Sequence, residues 1–139
     1  MQLTQATDYA LRTVLCLAGL APGEVLSAQE IAGKEEIPLR FLFKIMRPLI
    51  KNGIVRSFRG TAGGFALARP PAAITLLDVV EAVEGPVRLN RCLIDEKYCT
   101  KRWADRCPVH RVLENIQNAV IAELGRRTFA DLVESTKEV

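Results

Sequence analysis

Between Ser27 and Leu67 the start and stop signals of secondary structure follow one another so closely that few folds can accommodate them. Ser27-Ala-Gln-Glu30 is a capping box, in which the serine hydroxyl can accept a free amide in the first turn while the glutamate reaches back to the serine's own N–H. The helix it opens is short, stopping around Gly33 and Lys34. After a turn, Pro38 suits the first position of another helix, since its fixed φ is already helical and its missing N–H is not needed there. That helix reads PLRFLFKIMRPLIKN and is expected to end at Asn52-Gly53 in a left-handed cap, with Pro48 kinking it or loosening its last turn. Two β-prone runs, IVRSF and GFALA, then lie on either side of RGTAGG. A glycine-rich connector between short strands predicts a hairpin with a mobile, basic tip.

The flanking segments fit around this unit. Thr4 can cap a first helix with Tyr9, Val14, Leu15, Cys16 and Leu17 among its apolar positions, ending near Gly19. APGEVL reads as a turn leading into a short extended piece. Thr75 can cap a fourth helix, LLDVVEAVEG, and Pro108 starts a long one with Val109, Val112, Leu113, Ile116, Val120 and Leu124 at three- and four-residue steps. A last short helix follows Thr128. Helix, helix, turn, helix, hairpin is the order of a winged helix-turn-helix, whose third helix enters the major groove of DNA. The expected fold class is therefore mainly α with a small β-hairpin wing, a winged helix-turn-helix plus a long C-terminal dimerisation helix. Residues 1–84 are read as the DNA-binding domain, 85–107 as a cysteine-bearing loop, and 108–139 as the dimerisation helix with a terminal helix. The stripe on the long helix is broader than a small domain can cover, so it is read as the contact of a homodimer.

Charge supports a polyanion as partner. From Ile37 to Leu77 there is no Asp or Glu, although the chain has 16 of them, and seven of its 19 Lys and Arg fall there: Arg40, Lys44, Arg47, Lys51, Arg56, Arg59 and Arg69. A net charge of only +3 thus conceals a strongly basic recognition helix and wing. At 139 residues, 49% of them hydrophobic, the chain can bury a core as one domain. No apolar run approaches the roughly 20 residues of a membrane span. The start MQLTQATDYALRT lacks a signal peptide's basic opening and cleavage site, so a cytoplasmic location without membrane contact is expected. No nucleophile–base constellation suggests an enzyme.

Three of the four cysteines and the one histidine crowd into CLIDEKYCTKRWADRCPVH, residues 92–110. Cys92, Cys99, Cys107 and His110 form C-x(6)-C-x(7)-C-x(2)-H. Thiolates select zinc or iron–sulfur clusters over hard cations. The spacing lacks the C-x-x-C knuckle of most structural zinc sites, and long irregular gaps suit a loop wrapped over something larger than one ion. A cluster is the first reading, zinc the second and a bare redox thiol loop the third. Arg91, Lys97, Lys101, Arg102 and Arg106 are expected to lower the thiol pKa values, and the helix opening after Cys107 offers its amide dipoles to an anion. Cys16, alone in an apolar stretch, reads as a small core residue.

LTQATDYALRTVLCLA, NGIVRSFRGTAGGFALARP, ITLLDVVEAVEG and TFADLV, together with the three cysteines before the long helix, resemble the IscR/NsrR/RirA-type iron–sulfur winged-helix transcriptional regulators over essentially the whole chain. FLFKIM looks closest to the iron-responsive RirA branch. The resemblance implies a dimeric regulator, usually a repressor, that binds double-stranded promoter DNA and carries an iron–sulfur cluster of two or four irons. It implies DNA contacts from Ser27, Pro38, Arg40, Phe41 and Lys44, with Arg59 in the minor groove and Gly60, Gly63 and Gly64 letting the wing backbone approach phosphate. Phe43 departs from the polar or acidic residue some relatives use to discriminate bases, and reads instead as core. For the fourth cluster ligand the resemblance offers His110, one turn beyond Cys107, and Asp8, which four-iron relatives supply from the partner subunit. His110 is favoured and Asp8 stays open. The bound cluster would order residues 92–107 and bias the spacing of the two helix-turn-helix units. Rival readings are a zinc-bound or cluster-free regulator and an iron–sulfur carrier that does not bind DNA.

Overall fold

The computed structural model describes residues 1–138. Six helices and one hairpin follow in the order α1 (Gln5–Ala18), α2 (Ala28–Glu35), α3 (Leu39–Lys51), β1 (Val55–Phe58), β2 (Gly64–Leu67), α4 (Leu76–Glu84), α5 (Pro108–Arg126) and α6 (Phe129–Lys137), with short 3-10 turns at Pro71–Ala73, Arg91–Leu93 and Glu96–Tyr98. The architecture is a winged helix-turn-helix with a long C-terminal helix.

Side-chain caps start four of the six helices. The Thr4 hydroxyl accepts the Thr7 amide, and full capping boxes form at Ser27/Glu30, Thr75/Asp78 and Thr128/Asp131. Each satisfies amides that a first turn leaves without partners. α2 runs past Gly33 to Glu35, and the left-handed residue that ends it is Glu36, with φ 54°. A non-glycine residue there costs about 1–2 kcal/mol. What offsets it is Ile37, which is buried and closes the helix through its amide to the Ala32 carbonyl at 3.0 Å.

α3 ends as its sequence requires. Gly53 takes φ 70°, its amide donates to Ile50 and the amide of buried Ile54 donates to the Leu49 carbonyl at 2.9 Å, a Schellman closure. Pro38 sits one residue earlier than expected, at the N-cap, and Pro48 does not break the last turn, which stays helical to Lys51. The donor Pro48 removes would have served the carbonyl of Lys44, a residue on the exposed side where water can take its place.

Leu42, Ile45, Met46 and Leu49 turn inward from α3 onto Ala10, Val14 and Leu17 of α1 and Val79 of α4, forming one core. The hairpin pairs Val55 with Leu67 and Phe58 with Gly64, and Leu26 adds a bridge to Phe65 in both directions, at 3.1 and 2.7 Å. That bridge is the extended piece expected after the APGEVL turn. It explains Gly64, where a Cβ would collide with the Leu26 carbonyl.

The chain's end returns to the winged unit. Thr75 and Thr128 form an antiparallel bridge, with Leu76 N–H to Arg127 O at 2.9 Å and Phe129 N–H to Ile74 O at 3.0 Å, and Phe129 is buried. α6 then packs on α1. α5 packs on α4 and touches the 3-10 turn at Arg91–Leu93. Its buried residue is Gln117, whose Oε1 accepts the Leu89 amide at 2.9 Å and so ties the cysteine loop to the helix. Val109, Val112, Ile116 and Val120, at helical steps along α5, are left exposed.

Candidate functional site

Two surfaces carry chemistry: the outward face of α3 with the hairpin, and the hollow between residues 90 and 110. Because α3 buries Leu42, Ile45, Met46 and Leu49, its 3.6-residue period turns Arg40, Lys44, Arg47 and Lys51 to solvent along the opposite side. On the wing, Arg56, Phe58 and Arg59 are exposed, with the Arg56 guanidinium 5.7 Å from the centre of the Phe58 ring. The turn needs Gly60, which takes φ 101°, and Gly63, where a Cβ would run into the Phe58 carbonyl. Glycine at 63 and 64 is thus demanded by the chain's own packing, whatever approaches from outside.

Not every basic residue of the acid-free segment faces outward for a ligand. Arg69 donates to the Gly53 carbonyl at 3.2 Å and the Ala73 carbonyl at 3.1 Å, and lies 3.9 Å from Asp78. It fastens the foot of the wing, a role the charge pattern did not reveal. Ser27 is engaged in its capping box and Pro38 is exposed at the start of α3. Of the two phenylalanines of α3, Phe43 departs from the place expected of it. Phe43 is 48% exposed, not core, while Phe41 is half-buried against the core with its ring centre 6.2 Å from that of Tyr9 and the Arg40 guanidinium 5.1 Å above it. Both positions flank the inward stripe of 42, 45, 46 and 49, on opposite sides of it, and Phe41 falls on the side that Tyr9 of α1 covers.

The second surface is a hollow of about 310 Å³ lined by Cys92, Cys99, Cys107 and His110 together with Asn90, Tyr98 and Lys101. Irregular chain with two 3-10 turns forms its wall, and α5 supplies its floor, Cys107 being the N-cap and His110 lying in the first turn. His110 Nδ1 is 3.1 Å from Cys92 Sγ. The Cys92 sulfur also receives the Asn90 amide at 3.5 Å, and the Cys99 sulfur receives the Trp103 N–H at 3.4 Å. That N–H is the largest cause holding the Cys99 thiol below its ordinary pKa, with the amides of Lys101 and Arg102 and the Lys101 ammonium adding to it. Backbone geometry does more here than the surrounding cations, two of which are engaged elsewhere: Arg91 stacks on Tyr98 and Lys101 on Trp103. All four cysteines are free. Among the described residues no three His, Cys, Asp or Glu side chains converge tightly enough to hold a single metal ion.

Asp8 lies apart, exposed on α1 and paired at 2.6 Å with Arg12, which also donates to the Glu35 carbonyl at 3.0 Å. Cys16 is half-buried, not fully core, and burial followed by a hydrogen bond with Glu35 pushes its thiol up to about 11, so it stays protonated and a poor ligand. Glu84, which no sequence signal marks, joins α4 to α1: one carboxylate oxygen accepts the Thr7 hydroxyl at 2.6 Å and the Thr4 amide at 2.8 Å. No helix of the described residues is long and apolar enough to cross a membrane.

Comparison with known proteins agrees with this geometry. The family model described as "Rrf2: Iron-dependent Transcriptional regulator" matches residues 3–135. Protein aau3 of Rhizobium meliloti (strain 1021) is 37% identical over 100% of this chain and 89% of its own. Among solved structures, CymR (YrzC), the global cysteine regulator of B. subtilis, superposes with a TM-score of 0.78 at 27% identity, covering 97% of this chain and 98% of that one. T. potens IscR shares the fold, with a TM-score of 0.80 at 22% identity over 99% of this chain and 90% of its own. With a family match over nearly its full length and a winged helix-turn-helix to carry it, the chain belongs to the Rrf2 family of DNA-binding transcriptional regulators, which are not enzymes.

Proposed function

We propose that the chain is a homodimeric repressor of promoter DNA whose affinity is set by an iron–sulfur cluster held by Cys92, Cys99, Cys107 and His110. The observation that carries this reading is that three thiols and an imidazole, spread over 19 residues of sequence, line one hollow at the start of α5. The donor set fits the group: soft sulfur ligands with one nitrogen, on a wall roomy enough for several atoms. When bound, the cluster would supply the centre that responds to iron, redox state or nitric oxide. The chain's residues do the rest. Asn90 and the Trp103 amide direct hydrogen bonds onto the sulfurs, and the first turn of α5 presents its amides to the anionic group. Among fourth ligands His110 is favoured over Asp8, since Asp8 would have to leave Arg12.

On the DNA side, Arg40 and Lys44 of α3 and Arg59 of the wing would neutralise phosphates or reach base edges in the grooves, with Ser27, Pro38 and Phe41 beside them and the wing at Gly60, Gly63 and Gly64 lying close to the backbone. The strip Val109, Val112, Ile116 and Val120 would face the same strip of a second copy. The Leu89–Gln117 hydrogen bond then gives the cysteine loop a grip on the dimer helix. In this scheme residues 1–84 bind DNA, 85–107 hold the cluster and 108–139 dimerise. The coupling expected of such a device is about 1–3 kcal/mol, roughly 5- to 150-fold in DNA affinity.

Protein purified without air, assayed for iron, sulfide and its absorption spectrum, then titrated with DNA before and after cluster removal at fixed salt, tests this. Iron and sulfide in the protein with a change of affinity on removal is the expected result. An unchanged affinity would overturn cluster control. A second reading, a zinc-bound or cluster-free regulator, draws on the likeness to the cysteine regulator CymR; it predicts a colourless protein that resists reconstitution with iron and sulfide.

A further inference from the structure

Folding leaves three large apolar side chains of α3 exposed beside its row of cations, Leu39, Phe43 and Ile50, and Phe43 the most. Phe43 is 48% exposed and Leu39, one turn earlier, is 38% exposed, so the two form a short apolar strip in the N-terminal half of the helix. Arg40, Lys44 and Arg47 run beside it at steps of four and three residues. Neither phenylalanine-to-cation nor aromatic pairing occupies Phe43 among the described residues. The neighbouring guanidinium of Arg40 is drawn instead over Phe41. The phenyl ring is thus half-exposed and without an aromatic or cation partner among the described residues.

We infer that Phe43 is a specificity-determining residue that reads the C5-methyl group of a pyrimidine in the major groove. The inference rests on the DNA-binding reading above and deepens it. In a helix-turn-helix the N-terminal half of the second helix is the part that reaches base edges. A major groove offers hydrogen-bond donors and acceptors at every base pair, and only one apolar projection, the methyl on C5 of thymine, which an aromatic ring can cover. A phenyl ring can satisfy no donor or acceptor, so facing any other base edge it would strip water from polar atoms without replacing it. The flanking cations settle on phosphates and guanines, and the ring supplies discrimination at the step between them. The same methyl occurs on 5-methylcytosine, so the recognised chemistry is a methylated pyrimidine C5 from either source.

Selecting binding sequences from a random duplex pool, with dimeric protein kept from air and in parallel after chelation, gives the operator. Each thymine is then replaced by deoxyuridine and each cytosine by 5-methylcytosine, and the dissociation constants of the parent and Phe43→Ala are measured for every duplex. For thymine as source, removing the methyl at one position in one half-site weakens the parent about 4-fold, and about 15-fold when both half-sites are changed, the worth of one buried carbon each. Phe43→Ala binds the thymine and deoxyuridine duplexes alike. For 5-methylcytosine as source, adding the methyl strengthens the parent by the same factor and leaves the variant unmoved. An operator whose every methyl change affects parent and variant equally overturns the inference while leaving DNA binding intact. A pool that yields no enriched sequence overturns both. Because Phe43 is exposed, the alanine variant retains its fold, and the methyl scan on the parent alone already decides whether any methyl is read.

Discussion

His110 Nδ1 lies 3.1 Å from Cys92 Sγ, although the imidazole stands on α5 and the thiol on the far wall of the loop. This pairing brings the two ends of the cysteine motif together before any inorganic group is considered. It separates the candidate ligands by position: His110 looks into the hollow, Asp8 is fastened to Arg12 on α1. The expected outcome is that Cys92→Ser, Cys99→Ser and Cys107→Ser each abolish the cluster absorption bands. His110→Ala should shift the bands and speed cluster loss, and Asp8→Ala and Cys16→Ser should leave the spectrum as it is. An unchanged spectrum in His110→Ala would remove it from the ligand set.

The outward cations of α3 and the inward Arg69 should behave differently toward salt. Arg40→Ala and Lys44→Ala are each expected to weaken DNA binding by about 1 kcal/mol, roughly 5-fold, and to reduce the slope of log affinity against log salt by about 1. Arg69 is hydrogen-bonded to Gly53 and Ala73, so Arg69→Ala should lower the thermal midpoint while leaving that slope nearly unchanged. Fluorescence anisotropy over a salt series, paired with thermal melts, distinguishes the two.

Gly64→Ala should destabilise the winged unit by about 2 kcal/mol or more, because the added methyl meets the Leu26 carbonyl across a backbone pairing that cannot yield without breaking its hydrogen bonds. Gly33→Ala, where a Cβ meets open space in α2, should instead stabilise by a few tenths of a kcal/mol up to about 1. Urea unfolding of the two variants checks both signs.

Glu84 provides a dependence on pH. Burial alone would raise its pKa, but the hydrogen bonds from Thr7 and Thr4 outweigh burial and leave it below its ordinary 4.5. A carboxyl depressed by folding stabilises the native state above its unfolded pKa, and that contribution is lost as pH falls through the folded value. Glu84→Ala is therefore expected to cost about 1 kcal/mol at neutral pH, with the gap to the parent closing progressively at pH values below 4.5. A gap that persists undiminished in acid would mean the loss is packing and not charge.

What could be read from the sequence was local. Ser27/Glu30, Thr75, Thr128 and Asn52-Gly53 mark their helix ends because a cap is made by residues three or four apart, and RGTAGG marks the hairpin because a tight turn needs glycine where it turns. The donors of the thiol hollow were likewise legible as residue types. Other features were set by partners far along the chain. Nothing near Gly64 announces Leu26, nothing near Leu89 announces Gln117, and Arg69 counts as one more surface cation until Gly53 and Ala73 are seen beside it. Phe43 is exposed and Phe41 half-covered because α1 lies over one flank of α3 and not the other, which a residue taken alone does not reveal. The end of α2 moved past Gly33 because burying Ile37 outweighed the ease of stopping at glycine.

The pairing of Thr75 with Thr128 gives α5 an unusual mechanical standing. A helix that leaves a small protein's body would ordinarily be free to swing. This one is pinned at its far end to the unit from which it departs, and gripped nearer its start at Gln117. It is a strut with two fixings, and in the proposed dimer a change in the loop ahead of Cys107 would reach it through the Gln117 fixing, so that two such struts laid together would pass it on to the distance between their reading heads.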